Sequence, residues 1–140
     1  MLFRTLEDLR EQLAELRSKL DNAFSPDTAM AGSRGIGPSA GHCAAVAAIV
    51  FDHLGGDLVS TKVQDESHWF NRFRAGDEIY DADITGDQWG RDAVQTGKEG
   101  SLYPHTRVRR SEDLNEETLR RAMKLATRAG LSLSKSRRVA

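Results

Sequence analysis

The chain has 140 residues, with 20 Lys and Arg against 21 Asp and Glu, and it contains one Cys. That is the length of one domain, and a single cysteine excludes an internal disulfide framework, so the fold must rest on its apolar core. A formal net charge of −1 argues against a surface built as a whole to attract nucleic acid or anionic lipid. No stretch approaches the roughly 18 apolar residues of a membrane span, and Met1-Leu2-Phe3-Arg4 opens neither a signal peptide nor an anchor. The expected compartment is a reducing cytoplasm, where a lone thiol stays free.

From Phe3 to about Phe24, Leu6, Leu9, Leu13, Leu16 and Leu20 recur at spacings of three and four among charged residues, which predicts an amphipathic helix. Thr5 followed by Asp8 approximates a capping box. The leucine seam is expected to pack on its own domain, although a short coiled coil would use the same residues to form a homo-oligomer. Ser25 to Gly41 is rich in Ser, Pro, Gly and Ala and reads as a long irregular connection. Loops of that length in small domains tend to be functional or disordered.

Cys43 to Phe51 is apolar on every side and ends at Leu54-Gly55-Gly56, the pattern of a buried helix with a glycine stop. Leu58–Val63, Ser67–Phe73 and Glu78–Thr85 read as strands, the last two as a hairpin. Gly86 to Pro104 has no clear period and is expected to be loop, with Trp89 and Tyr103 in it. Thr106–Arg110 reads as a further strand. Ser111 or Asn115 caps a helix running through Leu119, Ala122, Leu125, Ala126 and Ala129 to Gly130. The expected division is a helix over 1–24, a central domain over 25–131 and a basic tail over 132–140.

Cys43 begins the buried helix directly after the glycine-rich loop. Unpaired backbone N–H groups and the positive end of the helix dipole stabilise an anion at such a position, which favours a thiolate. With the hairpin turn centred between Ala75 and Gly76, Phe73 faces Glu78 and His68 faces Asp83, close enough for an imidazole to meet a carboxylate. A turn one position nearer the N-terminus brings Asp81 opposite instead. Thiol, imidazole and carboxylate are the parts of a Cys-His-Asp triad, in which the His moves the proton and the Asp fixes its tautomer. His42 borders the site. His42, Cys43, His53, His68 and His105 lack the paired spacings of a zinc site. No phosphate-binding fingerprint supports a nucleotide, so neither a metal nor a cofactor is expected.

Gly41-His42-Cys43, Leu54-Gly55-Gly56-Asp57, His68-Trp69-Phe70-Asn71-Arg72 and Asp83-Ile84-Thr85-Gly86-Asp87-Gln88-Trp89 resemble, in order, the blocks of the YunG-like family. These are small bacterial proteins similar to transglutaminase-like and papain-like cysteine enzymes. The resemblance covers about residues 25–131. It implies an α+β fold with a papain-like/transglutaminase-like core: a buried helix bearing the cysteine at its start, packed on a small antiparallel sheet with flanking helices. It also implies Cys43 as nucleophile, His68 as base and Asp83 as orienter, with Asn71 and Gln88 matching as supporting residues. The family usually has Gln directly before the cysteine, where this chain has His42.

The expected activity is that of a cysteine hydrolase or acyltransferase acting on an amide in a peptide, protein or small molecule through a thioester. The alternative is a papain-like fold without turnover, serving as a binding or self-association module through the leucine seam or the basic run Arg107, Arg109 and Arg110. Little beyond Lys135, Arg137 and Arg138 supports nucleic acid as a partner, and no feature supports a membrane.

Overall fold

Thr5 separates a two-residue strand, β1 (Leu2–Phe3), from the first helix, α1 (Leu6–Leu20), in the computed structural model, which describes residues 2–133. Its hydroxyl accepts the backbone N–H of Asp8 at 3.1 Å and satisfies one of the free donors at the helix start. The leucine stripe faces inward. Leu9, Leu13 and Leu20 are fully buried in the same core as the second helix, so the seam is occupied by its own domain.

The connection that follows is held by a 3-10 turn at Pro26–Thr28 and then runs irregularly to Gly41. Gly41 sits at φ +78°, and a Cβ there would lie 2.8 Å from the Met30 carbonyl oxygen, so only glycine fits. Helix α2 (Cys43–Leu54) starts two residues later. Its Ala and Val side chains are small enough for the sheet and two helices to approach it from several sides, and Gly55 at φ +77° stops it.

Strands β2 (Asp57–Val63), β3 (Glu66–Ala75), β4 (Glu78–Asp83), β5 (Gln95–Lys98) and β6 (Arg107–Arg109) form a sheet in the order β5-β4-β3-β2-β6, antiparallel throughout. β1 adds a parallel pairing at the far end of β3. Helix α3 (Glu116–Arg128) is capped by Asn115, which accepts the Thr118 N–H at 2.8 Å, and it packs on α2. The fold is α+β, with three α-helices and a six-stranded sheet among the described residues. One sheet face puts Leu58, Trp69, Phe73, Ala82 and Ile84 against the helices. The other puts Val59 and Phe70 under Tyr103, from the loop before β6. Among the described residues no helix is long and apolar enough to cross a membrane.

The β3–β4 register corrects the expected one. Ala75 faces Glu78 and Phe73 faces Tyr80, because the two turn residues are Gly76 and Asp77, with Gly76 at φ +59°. The turn thus lies one position C-terminal of its expected place. That moves each pairing by two residues, which changes partners but keeps every side chain on its face. β5 was expected to be loop; it is a short edge strand whose Gln-Thr-Gly-Lys sequence carries no apolar alternation. The basic-tail residues Lys135, Arg137 and Arg138 lie outside the described residues.

Replacing Leu13 by Ala should remove packing that the core cannot refill. We expect a loss of about 3 kcal/mol in urea unfolding, with the light-scattering mass of the folded protein unchanged; a lower mass would mean that the seam joins two chains.

Candidate active site

Cys43 is a buried residue in the first turn of α2, 7% exposed, and its Sγ lies 3.8 Å from the Ser67 carbonyl oxygen on β3. His68 is the next residue. The β3–β4 ladder ends at Asn71 and Ala82, so this first part of β3 has no β4 partner beside it, and the start of α2 approaches there.

His68 and Asp83 meet as the sequence predicted, by a different path. Extending the observed register puts Thr85 opposite His68, with Asp83 one step diagonal on the same face. The contact closes at 2.8 Å between His68 Nε2 and Asp83 Oδ2, both side chains being essentially fully buried. Asp83 is heavily bonded otherwise. Its Oδ1 accepts the Thr85 backbone N–H at 2.9 Å and the Thr85 hydroxyl at 3.1 Å. Its Oδ2 also accepts the Tyr103 hydroxyl in a short hydrogen bond and the Gln95 side-chain amide at 3.4 Å.

These contacts decide the charge states. Burial alone raises the Asp83 pKa, but the His68 charge and the hydrogen bonds from His68, Tyr103 and Thr85 overcome it and hold the carboxyl below its ordinary range. For His68, burial lowers the pKa, and the Asp83 charge and hydrogen bond, with a further contribution from Cys43, push it up to about 10. Burial and the neighbouring carboxylate raise the Tyr103 pKa, so the phenol remains a donor.

The second ring nitrogen is also engaged. Trp89 Nε1–H donates to His68 Nδ1 at 3.1 Å, edge-on to the ring. Where that bond is made, Nδ1 accepts and carries no proton, and the ring proton sits on Nε2 towards Asp83; a doubly protonated ring cannot make it. Asp83 therefore favours an imidazolium while Trp89 favours a neutral ring, and the proton position depends on both.

The other sequence candidates have structural partners. Asn71 donates to the Ala47 carbonyl at 3.1 Å and fastens β3 to α2. Gln88 donates to the Thr85 hydroxyl at 3.1 Å, supporting Asp83 from behind. His42 is buried away from the thiol: Nε2 meets Thr28 Oγ1 at 2.7 Å, Nδ1 meets the Ala40 carbonyl at 3.0 Å, and the ring leans on Phe24. Burial lowers its pKa. Asp81, the alternative orienter, binds Arg72 at 2.6 Å and the Gly100 N–H at 2.9 Å instead. From α1, buried Arg17 reaches the Ile84 carbonyl at 2.6 Å and grips Asp87, fixing the segment that follows Asp83. Among the described residues no group of His, Cys, Asp and Glu side chains could hold a metal ion.

Sequence reading missed Tyr103, Gln95, Trp89 and Arg17 as parts of this site. Thr85 had a local signal, since an Asp side chain commonly accepts the backbone N–H two residues on, as Asp83 does here.

A family model, YunG protein, matches residues 12–128. The chain belongs to the YunG family. The match takes in Arg17 and every side chain described around Asp83. No curated protein and no solved structure matches the chain.

Trp89→Phe removes the donor to Nδ1 and leaves an aromatic ring in place. Losing a bond of about 1 kcal/mol that favours the neutral ring should speed alkylation of Cys43 near pH 7 by roughly fivefold and move the acid limb of the rate profile to lower pH. An unchanged profile would show that the indole does not control the proton.

Proposed function

We propose that this YunG-family chain is a cysteine hydrolase or acyltransferase acting on an amide, with Cys43, His68 and Asp83 arranged as in papain-like and transglutaminase-like enzymes. The observation that carries this reading is the buried 2.8 Å contact between His68 and Asp83, beside a cysteine that opens a helix. A merely structural histidine has no need of a carboxylate supplied with four further donors.

In the reaction His68 Nδ1 takes the thiol proton after Trp89 releases it, and Asp83 stabilises the imidazolium. Cys43 Sγ attacks the amide carbonyl carbon. The carbonyl oxygen becomes an oxyanion next to the start of α2, where the Cys43 N–H has no helical acceptor. As the C–N bond breaks, His68 returns the proton to the departing nitrogen, leaving a thioester. Water or an amine then attacks, giving its proton to His68, and the thiol is regenerated. His42 supplies no donor here, because both of its nitrogens are engaged elsewhere. A free thiol in this role suits a reducing cytoplasm, which we include in the proposal.

A second reading, a binding or self-association module without turnover, draws on Trp89 occupying the nitrogen that catalysis needs. Iodoacetamide separates the two. On the enzyme reading it modifies Cys43 at least about tenfold faster than a model thiol near neutral pH, and His68→Ala removes the advantage. Asp83→Asn should lose most of it as well, because the carboxylate is what raises the His68 pKa. An ordinary rate in all three proteins would support the module.

A further inference from the structure

A cavity of about 380 Å³ is lined by residues of β2, β3 and β6 and of the loop before β6. Ser67, whose carbonyl faces the thiol, forms one wall. Strand pairing places the rest: Ser67 lies opposite Lys62, Ser60 opposite Arg107, and Leu58 opposite Arg109, so these side chains share one face. His105 completes the rim in a left-handed conformation, φ +52°, a strain that a non-glycine residue keeps only where its surroundings impose it.

The lining is cationic and contains no carboxylate. Lys62 and Arg107 make no ion pair among the described residues. Arg109 lies over the Trp69 ring at 5.1 Å, reaches Asp113 only at 3.7 Å, and has a buried Nε without a hydrogen-bond partner. In a chain of net charge −1, where most other cations near the core are paired, such a cluster marks a place for an anion from outside.

We infer that the substrate of the Cys43 site is an acidic peptide whose carboxylates lie along Lys62, Arg107 and Arg109. This rests on Cys43 being the nucleophile. Peptide is favoured over nucleic acid because the neighbouring chemistry is that of amides and because, among the described residues, no Phe, Tyr or Trp lines the cavity to stack a base.

The test uses two N-iodoacetyl tripeptides of equal length, Glu-Asp-Glu and Gln-Asn-Gln, whose iodide Cys43 displaces as the C–S bond forms. The full chain at low salt should react with the acidic probe at least about tenfold faster than with the neutral one, and salt of about 0.5 M should shrink the ratio. In Lys62→Gln/Arg107→Gln, which changes exposed side chains only, the ratio of acidic to neutral rates should fall below about threefold. The helix start and His68 are the same in both proteins, so their attraction for anions cancels from the comparison. Equal rates for the two probes in wild type overturn the acidic-peptide assignment and leave the nucleophile standing. A neutral rate no faster than a free thiol, with the acidic preference kept, strikes the nucleophile and supports the anion groove. A single-stranded oligonucleotide that protects Cys43 at lower concentration than the unreactive acidic peptide would overturn peptide as the ligand.

Discussion

An ionised carboxylate removed from water must be met by donors on every side, and Asp83 sets that requirement at the centre of this fold. Its partners come from separate places in the chain: His68 on β3, Thr85 just after β4, Gln95 on β5 and Tyr103 in the loop before β6. No short segment could supply them. Satisfying one buried charge therefore fixes the ends of three strands and the path of the loop that covers the second sheet face. Arg17 extends the constraint to α1, because its guanidinium holds both the Ile84 carbonyl and Asp87.

The same constraint shapes the chemistry. A carboxylate held ionised in a dry site draws a proton onto the imidazole beside it, and the Cys43 thiol stands at the start of α2 close to that ring. The indole of Trp89 opposes this by donating to the nitrogen that would receive the thiol proton. The imidazole is thus pulled two ways, and Trp89 must release Nδ1 before the ring can carry a second proton.

What the sequence made legible follows from how local each signal is. The helices announced themselves through period, caps and glycine stops, as with Thr5, Asn115 and Gly55. The His68–Asp83 contact forms despite the mistaken register because a two-residue slip preserves the face of a strand, and because an imidazole can reach a diagonal neighbour as well as a direct one. β5 escaped notice since an edge strand with half-buried Gln, Thr and Gly has no apolar alternation. Tyr103, Gln95 and Arg17 were invisible for a different reason: each reaches the site across a long separation in sequence, and nothing beside it in the chain marks the contact. His42, adjacent to the cysteine in sequence, is turned the other way by Thr28 and Phe24.

Nitrogen NMR of the His68 ring, followed with pH in wild type, Cys43→Ala and Asp83→Asn, tests the central claim most directly. The account predicts that Nε2 stays protonated throughout, that Nδ1 takes its proton at a pH well above the ordinary histidine value of about 6.5, and that both substitutions lower that pH. A ring that titrates near 6.5 in all three proteins, or one whose Nδ1 rather than Nε2 carries the proton when neutral, would contradict it.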